Sequence, residues 1–174
     1  MRLFGRSRLR TPDLITVIVE HHPDGSLDAG FVGEGSLPPD SGGYDDMDAL
    51  VSAVDRSVIE FYRSSPSDTA VPIGFQYAWY PWGDDTKALK IAGGPQEFLL
   101  FEIRQSIGGY EAWLPSDAAI STVSLRLADL PAAISKVAFE RWPALVGRTM
   151  PGMLHWNREL TDVGFRDLPI AGPS

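Results

Sequence analysis

Between Met47 and Tyr62 the apolar residues Met47, Leu50, Val51, Val54, Val58, Phe61 and Tyr62 are spaced by threes and fours, which places them on one stripe of an α-helix. A helix with one apolar stripe cannot bury it alone, so the chain must supply a second layer. The material for that layer is a series of short runs bounded by turn residues. Residues 14–20, LITVIVE, are β-branched and apolar at nearly every position, which predicts a central strand covered on both faces. Pro23, Asp24 and Gly25 then offer turn chemistry, and Leu27, Ala29 and Phe31 alternate after it, so the two runs predict a β-hairpin. LPPDSGG, 37–43, reads as loop, and Asp45 or Asp46 caps the helix by accepting from its free first-turn amides.

SSPSD, 64–68, stops the helix, and the second half alternates strand-like runs with turns. The runs are VPIGFQYAWY, KALKI (87–91), EFLLFEIR (97–104), YEAWL and AAISTVSLRL, separated by AGGPQ, SIGG and PSD. Asp129 opens a second helix with Pro131 in its first turn, and Leu130, Ala133, Ile134, Val137, Ala138 and Trp142 form its stripe until Pro143. MLHWNREL, 153–160, predicts a short helix. The expected fold class is α+β, a mostly antiparallel sheet of about six or seven strands with two main helices packed on one face. Strand, glycine turn, strand and helix follow one another in 14–62 and again in 98–142, an echo of architecture without residue-level similarity.

A chain of 174 residues that is 44% hydrophobic has the size and the apolar material for one core. The expectation is a single domain over 1–174, with a basic flexible arm at 1–10, where Arg2, Arg6, Arg8 and Arg10 stand without an acid, and a loosely ordered tail at 165–174. The absence of cysteine excludes disulfides, thiolate metal sites and a cysteine nucleophile. No stretch reaches the length of a membrane span and the N-terminus lacks the apolar run of a secretory signal, so a cytoplasmic protein with no membrane contact is expected. The formal charge is −8, and with four arginines in the arm the remaining chain is more acidic still. Such a body repels nucleic acid and suits a protein partner with a basic surface.

Catalytic templates find little purchase. His21 and His22 are adjacent and point to opposite faces of a strand end, so they do not begin a metal site. HWNRE, 155–159, has one histidine where a metalloprotease helix needs two, and Gly33 and Gly35 do not lead from strand to helix as a phosphate loop does. Asp45, Asp46 and Asp48 fit helix capping, and Asp84 with Asp85 fits a turn. Glu97 and Glu102 lack a local structural reason, yet their spacing sets them on opposite sides of a strand. No catalytic residue, metal or cofactor is expected, and the chain is read as not an enzyme.

FQYAWYPWGDD, 75–85, holds the densest aromatic run. Phe75, Tyr77 and Trp79 share one face of a strand and suffice for a core, which leaves Tyr80 and Trp82 around Pro81, just before Asp84 and Asp85. Tyr and Trp anchor protein interfaces, with large contact area at little rotamer cost; packing under the loop is the other reading of the same letters. In AGGPQE, Gly93 and Gly94 permit close backbone approach and Gln96 offers a donor and an acceptor. The candidate partner-binding residues are therefore Tyr80, Trp82, Asp84, Asp85, Gly93, Gly94 and Gln96. If the strands follow one another as hairpins, these two turns stand at opposite ends of the sheet, roughly 17 Å apart.

Residues 14–66, with ITVIVE, the PDGS turn, LPPDSGGYDD and the amphipathic helix, resemble the hairpin-then-helix pattern of HicB-type antitoxins, without the DNA-binding segment usual in that family. In size, acidity, absence of a catalytic motif and a high-GC bias of arginine over lysine, the whole chain is similar to cytosolic immunity proteins paired with actinobacterial secreted toxins, including the immunity factors of NAD-hydrolysing necrotizing toxins. The resemblance implies a non-catalytic immunity or antitoxin protein that binds a cognate toxin domain and occludes its active cleft. The alternative, from a different class, is a small-molecule-binding or enzymatic α+β domain with an aromatic-lined pocket between sheet and helices.

Overall fold

The computed structural model describes residues 11–63, 72–83 and 93–168. The arm at 1–10, the KALKI strand, Asp84, Asp85 and the tail from 169 onward lie outside the described residues. In chain order the elements are β1 (Leu14–His21), β2 (Leu27–Val32), β3 (Ser41–Tyr44), α1 (Met47–Arg63), β4 (Ile73–Trp79), β5 (Leu99–Ser106), β6 (Gly109–Leu114), β7 (Asp117–Ser124), α2 (Leu130–Arg141), β8 (Gly152–Thr161) and β9 (Gly164–Asp167).

All the described strands join one sheet in the order β3-β2-β1-β4-β8-β5-β6-β7, with β9 paired to the far part of β8. The order is a palindrome of two similar units, each three strands, a helix and a returning strand: β1-β2-β3-α1-β4 and β5-β6-β7-α2-β8. In both units the returning strand lies parallel beside the first, as β1 with β4 and β5 with β8. The two returning strands meet antiparallel at the centre, from Ile73 opposite Leu160 to Trp79 opposite Leu154. The echo in the sequence is thus a duplication of architecture about a pseudo-two-fold at the β4–β8 seam.

The fold class is α+β with nine strands and two α-helices among the described residues. The strand number exceeds the expected six or seven, and the sheet is mixed, because each helix returns the chain to a parallel position beside its unit's first strand. MLHWNREL is a strand, not a helix. Its alternating burial shows why: Gly152, Leu154, Trp156, Arg158 and Leu160 point one way into the helix layer. LPPDSGG also ends in strand, since Ser41–Tyr44 pairs with β2, and the expected loose tail begins instead as β9. LITVIVE is an interior strand as expected, but only its odd positions are fully covered; Leu14 is exposed and Ile18 half-buried.

One core lies between the sheet and the helices, containing Ile15, Val17, Phe75, Tyr77, Phe101, Leu154 and Trp156 from the strands and Leu50, Val54, Leu130 and Ile134 from the helices. Asp46 caps α1, its Oδ1 accepting from the Ala49 amide at 2.8 Å. Asp48 joins the two helical segments: its carboxylate accepts from the Leu127 and Ala128 amides at 3.0 and 2.9 Å, where the chain turns into α2. Arg126 completes the joint by pairing with Asp46.

Under α1 the core includes an ion pair. The Arg158 guanidinium donates to both Asp55 oxygens at 3.0 and 2.8 Å and is sandwiched 4.3 Å from the Trp156 and Phe165 rings, while the Tyr77 hydroxyl donates to Asp55 at 2.9 Å. Burial raises the Asp55 carboxyl above its ordinary range against the opposing pull of Arg158, and burial first, then the Asp55 charge, pushes the Tyr77 phenol well above its own.

Candidate interaction surface at one end of the sheet

The aromatic run divides as its alternation requires. Phe75, Tyr77 and Trp79 face the helices and are buried, with Phe75 edge-on to Tyr77 at 5.5 Å and Tyr77 stacked on Trp156 at 5.9 Å. The Trp79 indole donates to Nε2 of His21 at 2.8 Å, so that nitrogen is unprotonated, and burial lowers the His21 pKa in the same direction. Beyond the strand, Tyr80–Gly83 forms a turn closed by the Gly83 amide on the Tyr80 carbonyl at 3.2 Å.

Trp82 in that turn is half-buried, its ring 5.8 Å from Phe101 and its Nε1 donating to the Ser135 hydroxyl of α2 at 3.1 Å. It closes the core beneath α2, and Tyr80 stands further out, 6.4 Å from the ring of Phe98. Replacing Trp82 by alanine is accordingly expected to lower stability by about 1–3 kcal/mol, with the phenylalanine variant losing less, as thermal unfolding will read.

The two candidate turns stand at the same end of the sheet, which corrects the expected separation. β4 and β5 are not successive strands of a meander; they flank β8, which pairs antiparallel with β4 and parallel with β5. Trp79 and Phe101 are both register partners of Leu154, so the exit from β4 and the entry to β5 converge. There Gly93 adopts φ 77°, open only to glycine without strain, and Gln96 donates from Nε2 to the Gly94 carbonyl at 3.0 Å. Tyr80, Trp82, Gly93, Gly94 and Gln96 are thus brought to one end, and Glu97 lies exposed among them.

A neighbouring feature was not visible in the sequence. β1 runs parallel to β4 and ends at the same side, Val19 opposite Trp79, so the next residue, Glu20, stands beside the Tyr80 turn. Glu20 and Asp28 line an open groove of about 290 Å³ with Gly30, Asp40, Ser41 and Gly42. Asp40 accepts from the Phe31 amide at 3.0 Å and Asp28 from the Gly43 amide at 2.9 Å, so backbone donors hold both carboxylates in place. Among the described residues no lysine or arginine pairs with Glu20, Asp28 or Asp40.

His22 sits 2.6 Å from Asp28, and that hydrogen bond with the Asp28 charge raises its pKa. The contribution of the pair to folding is present below the ordinary histidine range and is lost as pH rises through the raised value. NMR titration is expected to find His22 above 6.5 and to find it lower in Asp28→Asn.

On the sheet face away from the helices runs a hydrogen-bonded row. Glu102 contacts His155 Nδ1 at 3.1 Å, His155 Nε2 meets Gln76 Oε1 at 2.7 Å, and Gln76 Nε2 donates to the Thr16 hydroxyl at 2.7 Å. Both imidazole nitrogens are engaged by neighbours, and the row ties β5, β8, β4 and β1 together across the sheet. Its members lie 53 to 79 residues apart at each step from Glu102 to Gln76, too far for any local motif to announce them. Glu159, which the sequence set near His155 on a helix, is about 13 Å along the strand and pairs with Arg166. Among the described residues no group of three or more His, Asp or Glu is placed to hold a metal ion, and no helix is long and apolar enough to cross a membrane.

No family model matches this chain, and no curated protein or solved structure matches it either.

Proposed function

We propose that the chain is a non-catalytic protein of the immunity or antitoxin kind, which binds a cognate toxin domain with this end of its sheet and covers that domain's active cleft. The observation that supports the reading is the convergence of an acidic groove, an aromatic turn and a glycine loop at one end of one sheet. Carboxylates that no lysine or arginine among the described residues neutralises attract a basic protein surface and speed its encounter, and Tyr80 beside them supplies contact area. The same carboxylates repel nucleic acid. The reading places the protein in the cytoplasm, where it meets a toxin before that toxin acts.

The alternative of an aromatic-lined pocket between sheet and helices is less favoured, because Phe75, Tyr77, Phe101 and Trp156 occupy that space at 0–2% exposure.

Size-exclusion of the protein mixed with the product of its neighbouring gene tests the reading, and a co-eluting complex is the expected result. Glu20→Lys with Glu97→Lys, both at exposed positions, is expected to weaken that complex by more than about 1 kcal/mol, chiefly by slowing association. Unchanged affinity of the double variant would exclude this end of the sheet as the contact.

A further inference from the structure

Among the described residues two strands close the sheet, β3 on one side and β7 on the other, and they occupy equivalent places in the two similar units. Their edges are nevertheless built in opposite ways. β3 is four residues long, keeps an irregular register with β2 and is bordered by Asp28, Asp40, Asp45 and Asp46. A short, irregular, charged edge discourages further strands from adding.

β7 has eight residues and pairs, among the described residues, only with β6. Its first residue, Asp117, is paired with Arg141, and from Ala118 to Ser124, with Leu125 just beyond, there is no charged side chain and no proline, in a chain whose residues are 22% charged. Ala118, Ala119, Ser121 and Val123 are exposed along it. At its end the β5–β6 turn presents Ile107, fully exposed, next to Leu125 at 81% and Val123 at 58%. A long, neutral edge flanked by an exposed apolar corner is a template for strand addition.

We propose that β7 pairs antiparallel with β7 of a second copy of this chain, joining two sheets across a two-fold axis. Charge selects that occupant. Two chains of net charge −8 repel wherever carboxylates face each other, and β7 is the edge on which nothing charged opposes its own image from residue 118 to 125. A basic partner has no counter-charge to find there and is drawn to the groove on the opposite half. Ser121 and Val123 share a face with Trp113 and Glu111, so across the axis they meet their counterparts and cover Val123. β6 separates β7 from β5, a spacing of roughly 10 Å from β5 to β7, so the dimer leaves the acidic end of each sheet accessible.

Sedimentation of the full chain over a range of micromolar concentrations tests the proposal. The expected mass is that of two chains of 19.0 kDa at the upper end, falling to one on dilution. The double variant Ser121→Lys/Val123→Lys is expected to sediment as one chain with an unchanged circular dichroism spectrum, as is Ser121→Glu/Val123→Glu. An equimolar mixture of the two is expected to recover the two-chain mass, since lysines then face glutamates. A single-chain mass for the unaltered protein at every concentration overturns the proposal, as does a dimer that survives the lysine variant. Neither result touches the toxin-binding reading, which is measured at the other end of the molecule.

Discussion

Replacing Arg158 by alanine is expected to destabilise the protein by about 3–5 kcal/mol, enough to unfold much of the population if total stability is that of an ordinary domain. Arg158 is only 6% exposed, its guanidinium held by two bonds to Asp55 and lying between the Trp156 and Phe165 rings. Its loss leaves the Asp55 carboxylate under α1 with Tyr77 as its remaining donor, and opens a space between two rings. Asp55→Ala strands the guanidinium in the same place and is expected to cost a similar amount, while the double variant costs less than the two singles added, as chemical denaturation of all four proteins will read.

The pH dependence of the pair follows from burial. The folded state raises the Asp55 carboxyl, so the fold holds that proton longer than the unfolded chain does, and this group's contribution to stability declines as pH rises from the ordinary 3.8 through the raised value. Asp55→Asn is expected to remove that decline from the pH profile of unfolding, even where it lowers stability at every pH.

Gly109→Ala is expected to cost about 2–4 kcal/mol, although it adds one methyl group. Gly109 begins β6 with φ 132°, a conformation that residues bearing a Cβ avoid, and an added Cβ would meet the Ser124 carbonyl oxygen at 2.3 Å and the Leu125 Cα at 2.8 Å. Both obstacles are backbone, at the last residue of β7 and the residue after it, so relief requires that end of the β6–β7 ladder to open. The adjacent Gly108 supplies the control: its added Cβ has nothing within 4 Å, and Gly108→Ala is expected to be close to neutral. Thermal unfolding of the pair separates a local steric conflict from a general intolerance of the turn.

Local periodicity set out most of the elements in the sequence. The stripe from Met47 to Tyr62, the alternation of Phe75, Tyr77 and Trp79, and the turn at Pro23–Gly25 each depend on neighbours a few residues apart, and each stands where that spacing puts it. The order strand, strand, helix, repeated, was legible for the same reason. β8 was misjudged because MLHWNREL mixes apolar and charged residues, and its alternation has a meaning only once a helix layer lies on one side: Arg158 sits at a core position, where a charge is admitted by Asp55 across 103 residues of chain.

What tertiary structure alone decided is which ends of which strands meet. Hairpin logic puts successive turns at opposite ends of a sheet, but here β8, later in the chain than both, inserts between β4 and β5 and brings their turns together beside Glu20. The row from Glu102 to Thr16 depends on the same insertion, whereas the acidic groove is built within residues 20–42 and gains its aromatic neighbour only through the β1–β4 pairing. Sequence carries side-chain character over a few residues; strand order is settled by long-range pairing, whose partners no local pattern names, and the candidate surface belongs to strand order.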